Sequence, residues 1–173
     1  MLRTFISCSL LLGLAGCSSY PPIKSVAQVD LQRFMGDWYV IANIPTFIEK
    51  TAHNAIESYS LNEDGSIATT FTFHDGGFEG EKKTYQPTGF VTDTTSNAIW
   101  GMQFIWPIKA DYRVMYLNDD YTQTVIGRIK RDYVWIMART PTIPDADYQR
   151  LLTMLADEGY DITLIKPVPQ KWN

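Results

Sequence analysis

From Gly36 onward, apolar and β-branched runs of about 8 to 10 residues alternate with turn signals, the spacing of an antiparallel sandwich or barrel. The first run, Asp37 to Ile44, stops at Pro45, which cannot donate to a sheet ladder. The second, His53 to Leu61, meets the tight reversal Asn62-Glu63-Asp64-Gly65 and returns as a third, Ser66 to His74. Gly76-Gly77 turns the chain into a fourth, Lys82 to Thr92, where Pro87 predicts a bulge or a gap in pairing. Asp93 to Asn97 leads into a fifth run that ends at Ile105, before Trp106-Pro107. Tyr112 to Leu117, Tyr121 to Ile129 and Tyr133 to Thr140 are the sixth, seventh and eighth, joined by short polar links.

One segment breaks this period. Tyr148, Leu151, Leu152 and Leu155 fall at i, i+3, i+4 and i+7 and give a helix a single apolar stripe. Pro144 sits near its first turn, Asp145 and Asp147 favour the positive end of its dipole, and Gly159 is placed to end it. Asp161 to Lys166 is expected as a short ninth strand. An eight-stranded meander has two exposed edges unless it closes. The expected fold is therefore all-β: an eight-stranded up-and-down barrel, a C-terminal helix on its outside, and an interior that holds one small ligand.

The formal net charge of -4 supplies no polyanion-seeking surface, so nucleic acid is excluded as a partner. Both cysteines, Cys8 and Cys17, precede the folded body, which leaves it without a disulfide, a cysteine nucleophile or a thiolate metal site. His53 and His74 are the only histidines, and neither has ligand spacing to a second His or Cys. Glu79 and Glu81 flank Gly80 in a Gly-rich turn, where solvated charge is the default. These features point to a protein that binds rather than catalyses, with no cofactor and no metal.

Arg3 and the apolar stretch after it form an exported leader, residues 1–16, too short to span a bilayer. Leu14-Ala15-Gly16-Cys17 resembles the lipobox of bacterial lipoproteins. That likeness implies cleavage before Cys17, lipidation of Cys17 and, with Ser18 next, attachment to the periplasmic face of the outer membrane. Residues 17–29, with Pro21-Pro22, are expected as the lipidated cysteine and its tether, and residues 30–173 as the domain.

Phe34-Met35-Gly36-Asp37-Trp38-Tyr39 resembles the first signature of the lipocalins, and Arg139, in Trp135-Ile136-Met137-Ala138-Arg139-Thr140-Pro141, resembles the third. Leu117-Asn118-Asp119-Asp120-Tyr121 stands where the second belongs, with Asn118 in place of the usual Asp. The likeness is closest to the bacterial and apolipoprotein D-like branch. It implies that Gly36, Trp38 and Arg139 are structural, with Trp38 plugging the closed end and Arg139 packed over its indole. It also implies a small apolar ligand, a fatty acid such as palmitate or a lysophospholipid. A lipid-modifying enzyme and an envelope module with a filled barrel are the alternatives.

A period of two sets the expected ligand contacts. On the first strand these are Val40 and Ala42, sharing the face of Trp38; on the second, Ile56; on the third, Phe71 and Phe73; on the fourth, Phe90. Trp100, Met102 and Phe104 are expected on the fifth, and Tyr112, Val114 and Tyr116 on the sixth. The links after strands one, three, five and seven belong at the mouth. Among them Phe104-Ile105-Trp106-Pro107-Ile108 is apolar, either a lip that meets acyl chains or a second subunit in a homodimer, or a loop folded on its own barrel. Lys109, Arg113 and Arg128 offer charge to a head group or are simply solvated.

Overall fold

The computed structural model describes residues 21–172. Strand β1 (Gly36–Ile44) pairs antiparallel with β2 (Ala52–Leu61), and β2 with β3 (Ile67–Asp75). Next come β4 (Glu81–Tyr85), which pairs only with β3, and β5 (Thr88–Val91), which bridges β3 to β6 (Ile99–Ile105). The two are halves of one expected strand, split at Gln86-Pro87, because proline brings no N–H to the ladder. The wall continues through β7 (Ile108–Leu117), β8 (Gln123–Gly127) and β9 (Val134–Ala138), and β9 returns to β1 to close the barrel. Counting β4 and β5 as one, eight strands form the wall.

Four irregularities decide which side chains point inward. The register slips between Val40 and Ala42 in β1, between His53 and Ile56 in β2, where Asn54 adopts φ 50°, between Met102 and Ile105 in β6, and between Val114 and Tyr116 in β7. Each adds a residue to one strand, so the alternation of faces shifts beyond it.

The expected helix is present as α2 (Asp145–Asp157), and Gly159 follows it at φ 86°. Leu151 and Leu155 are fully buried against the outer wall, in a cluster that includes Ala42, Ile44, Val125 and Ile136. The segment expected as a ninth strand is mostly a 3-10 turn, Ile162–Leu164, in which Asp161 accepts from the Thr163 amide. Only Lys166–Pro167 is extended, as β10 on β1. The chain then fills the gap where β1 and β2 diverge: Val168 N donates to the Ile41 carbonyl, Asn54 N to Pro169, and Gln170 Nε2 to Val40 and Ala55.

A second helix, α1 (Leu31–Phe34), was not anticipated; Asp30 caps it by accepting from the amides of Gln32 and Arg33. The segment expected as a tether is packed along the barrel in its described part. Ile23 and Val29 are buried, and Val26 N donates to the Val114 carbonyl.

Candidate functional site

The closed end of the barrel is solid. Phe34 from α1 meets Trp38, Tyr59 and Trp100 at ring separations of 5.1, 5.6 and 5.4 Å, and Tyr112 stacks on Trp100 at 5.1 Å. Trp38 Nε1 donates to the Phe34 carbonyl at 2.9 Å, which satisfies the one polar atom of a fully buried indole. Arg139 lies across Trp38, its guanidinium carbon 3.7 Å from the ring centre. An open depression of about 580 Å³ between α1, Asn97 and Tyr121 lies outside this end and is separated from the interior by the plug.

Above the plug, the inner face carries a polar group that sequence reasoning missed. Glu57 pairs with Trp38 on one side and Phe71 on the other, and antiparallel partners share a face, so all three point inward. Glu57 is enclosed by protein and keeps intermediate accessible surface. Burial pushes its carboxyl up to about 8, the nearby Glu49 carboxylate adds to the rise, and a hydrogen bond with Tyr59 opposes it. The Tyr59 and Tyr112 hydroxyls hydrogen-bond to each other, and burial holds both well above the usual tyrosine range. Glu57, Tyr59 and Tyr112 thus form a hydrogen-bonding floor on an aromatic base.

The mouth is polar on one side and apolar on the other. Glu49, in the β1–β2 loop, is buried; it accepts from Thr46 N at 2.9 Å and from Trp135 Nε1 at 3.2 Å. Asn43 pairs with Trp135 and so faces inward; it is 2 % exposed and its Nδ2 has no partner. Asn43, Glu49, Ala52 and Val168 help to line a cavity of about 280 Å³ beneath this loop. Across the mouth, the β6–β7 hairpin raises Ile105, Trp106 and Ile108 into solvent, 71, 82 and 68 % exposed, and Phe47 in the β1–β2 loop is 81 % exposed.

Several residues expected inside are inside: Val40, Phe71, Phe73, Trp100, Met102, Tyr112 and Val114 all belong to the inner cluster. Four are not. The β1 slip turns Ala42 outward beneath α2, and the β7 slip does the same to Tyr116, which sits under Arg150 of the helix. Ile56 pairs with Tyr39 and Thr72 on the outer face, because the inward set of β2 is Ala55, Glu57 and Tyr59. Phe90 also faces out: it pairs with Gly101 and lies under the Lys109 ammonium, 3.6 Å away, while Gly89 packs inside against Ile67, Met102 and Trp100. Phe104 was expected inside but stands 52 % exposed near the hairpin tip. Of the candidate head-group cations, Lys109 is engaged by Phe90, Arg113 pairs with Asp111, and Arg128 pairs with Asp132. Cys17 lies outside the described residues.

A closed antiparallel barrel, plugged at one end by a tryptophan beneath an arginine, defines a class of small β proteins. Comparison with known proteins places the chain within that class. Residues 29–170 match the Lipocalin-like domain family, and the chain belongs to it. The Blc outer membrane lipoprotein of Citrobacter freundii is 31 % identical over 163 residues, covering 91 % of this chain and 90 % of the relative. Temperature-induced lipocalin-1 of Arabidopsis thaliana is 30 % identical, covering 86 % and 83 %. Among solved structures, insecticyanin from Manduca sexta superposes with a TM-score of 0.68 at 15 % identity, covering 88 % of this chain and 86 % of its own, which is a likeness of fold.

Proposed function

We propose that this chain holds a single-chain lipid, a fatty acid or a lysophospholipid, in the upper half of its barrel and releases it chemically unchanged. The observation that carries this reading is the apolar rim, Phe47 with Ile105, Trp106 and Ile108, at the end of the barrel opposite the plug, above an inner wall that is mainly apolar. Exposed side chains of that size are costly in water and are accounted for where acyl chains pass. Val40, Phe71, Phe73, Met102, Tyr112 and Val114 supply the inner wall of this reading, and the plug fixes its depth. Burying one acyl chain, at about 25 cal/mol per Å², outweighs the association entropy, whereas a two-chain lipid leaves one chain outside.

The location is part of the same proposal. The Citrobacter relative is described as an outer membrane lipoprotein, and this chain carries a lipobox-like Leu14-Ala15-Gly16-Cys17 after a short leader. Lipidation of Cys17 would hold the barrel at the periplasmic face of the outer membrane, within reach of membrane lipids.

The test is mass spectrometry of lipids extracted from protein purified with no lipid added. Single-chain lipids in near-stoichiometric amount are expected, with the same species recovered after prolonged incubation. Recovery of a cleaved or isomerised product would replace binding with enzymatic turnover. A lipid-free barrel that takes up none of the single-chain lipids supplied to it would leave the filled-barrel module.

A further inference from the structure

The inner face of the barrel is lopsided in charge. Its carboxyls are Glu57 on the floor, Glu49 at the mouth, the latter fixed by Trp135 and Thr46, and Asp75 and Glu81, paired with each other at the rim. Among the described strands, the cation on the inward register is Lys83 of β4, paired opposite Phe73; it stands at the rim and its ammonium is held by Glu81 at 2.7 Å. Arg139 lies below the plug, where it donates to the carbonyls of Phe34, Met35 and Asp37. Tyr59 and Tyr112 face Glu57 with hydroxyls that accept as well as donate. Tyr85 of β4, opposite Phe71, is a further titratable group on this face.

We propose that this barrel selects its amphiphile by an ammonium head group, which enters first and rests against Glu57, Tyr59 and Tyr112 while the chain runs out toward the apolar rim. The inference rests on the lipid-binding reading and specifies the head group that the same cavity takes. A carboxylate head placed there meets the field of the Glu49 carboxylate, finds no free cation on the inner strand faces described, and has no positive charge to draw the proton from Glu57. An ammonium finds a carboxyl that ionises on contact, two phenolic oxygens and aromatic faces, and charge-assisted hydrogen bonds of this kind are about twice as strong as neutral ones. The polarity of the cup fits that order of entry, because its floor forms hydrogen bonds and its rim is apolar. Asn43 adds an independent sign of an occupant: its Nδ2 is buried, points inward and has no partner, so an oxygen in the linker between head and chain would satisfy it.

Because burial keeps Glu57 protonated at neutral pH, the arrival of an ammonium expels a proton. The test uses the chain from Ser18 to Asn173, which contains every described element, and decylamine, decanol and decanoate, all below their aggregation limits. Calorimetry in buffers of different ionisation enthalpy reads affinity and proton exchange together. The amine is expected to bind about tenfold more tightly than the carboxylate and to release about one proton near pH 7. Glu57→Gln should bring the three affinities within about threefold and abolish the release, and Tyr112→Phe should weaken the amine preference without abolishing the release. Lysophosphatidylethanolamine against lysophosphatidylglycerol then separates a phospholipid head from a simple amine: preference for the former shows that a phospholipid ammonium reaches the floor, and equal binding confines the site to simple amines. Decanoate binding as tightly as decylamine, or amine binding without proton release, would overturn the proposal while leaving lipid binding intact. Saturable binding by none of the single-chain compounds would overturn both.

Discussion

Arg139 lies flat over Trp38, and its guanidinium also ties α1 to β1 by donating to the carbonyls of Arg33, Phe34, Met35 and Asp37 at 2.7 to 3.0 Å. One side chain therefore ends a short helix, lids the plug and locks the entry to the first strand. Trp38→Ala should cost about 3 to 5 kcal/mol, because a fully buried indole leaves a cavity its aromatic neighbours cannot close. Arg139→Ala should cost less, about 1 to 3 kcal/mol, since part of the side chain meets water. Denaturant unfolding of both single variants and the double variant should give a coupling of about 0.5 to 2 kcal/mol; strict additivity would deny that they act as a unit.

Glu57 makes stability depend on pH in a stated direction. In the unfolded chain its carboxyl ionises near its ordinary value of 4.5, whereas in the fold burial and Glu49 hold the proton until about 8. Between these values the folded state binds more protons than the unfolded one. The contribution of this group to stability is therefore fully present below about pH 4.5 and lost as pH rises to about 8. Glu57→Gln keeps the neutral shape and removes the titration. Unfolding at a series of pH values should show the variant gaining on wild type from pH 5 to pH 8, with the gap constant above that range. A gap that does not change with pH would mean that Glu57 is ionised in the fold.

The sequence read the barrel well and its lining less well, for a physical reason. Strand runs and turns follow from local chemistry, as at Asn62 to Gly65, and even the break at Pro87 was visible as a missing donor. Inward and outward sets depend on register, which bulges change without altering composition: Val40 stayed inside while Ala42 did not. In β2 the expectation that apolar means inside favoured Ile56 over Glu57. The polar Ser58 and Ser60 on the alternate positions were the available sign that Ala55, Glu57 and Tyr59 share the inner face. Phe90 illustrates another limit, because a large aromatic is stable outside when it covers a glycine and carries a lysine. The orphaned amide of Asn43 is set by the same β1 slip and has no sequence signature.

The anchoring proposal predicts a clear change on altering one atom. Cys17→Ser removes the thiol that a lipobox-like sequence presents, so the variant should keep its leader and fail to acquire acyl chains. Membrane fractionation with intact-mass measurement should place mature wild type in the outer membrane with a lipidated N-terminus. Soluble wild type with an unmodified N-terminus would refute the location without touching the fold.

The last prediction separates a cup from a filled barrel. Ala55 and Ala52 are short inward side chains of β2 on the mouth side of Glu57, and Ala52 borders the cavity beneath the β1–β2 loop. If the upper barrel is space for a ligand, Ala55→Trp extends into that space, and the cost falls on binding. If the upper barrel is packed as tightly as the plug, the same substitution overfills a core and costs about 1 to 3 kcal/mol or more in stability. The ligand-binding reading expects a variant with wild-type strand content and little loss in denaturant midpoint, but with uptake of a solvatochromic naphthylamine dye bearing one alkyl chain reduced at least about tenfold. Such a dye carries no carboxylate, so the result does not depend on how Glu57 treats head groups. Phe90→Ala, on the outer face beneath Lys109, should leave dye uptake unchanged and serves as the control for general damage. Severe destabilisation by Ala55→Trp, together with no dye uptake by wild type, would make the barrel a filled scaffold and move the search for function to its apolar rim.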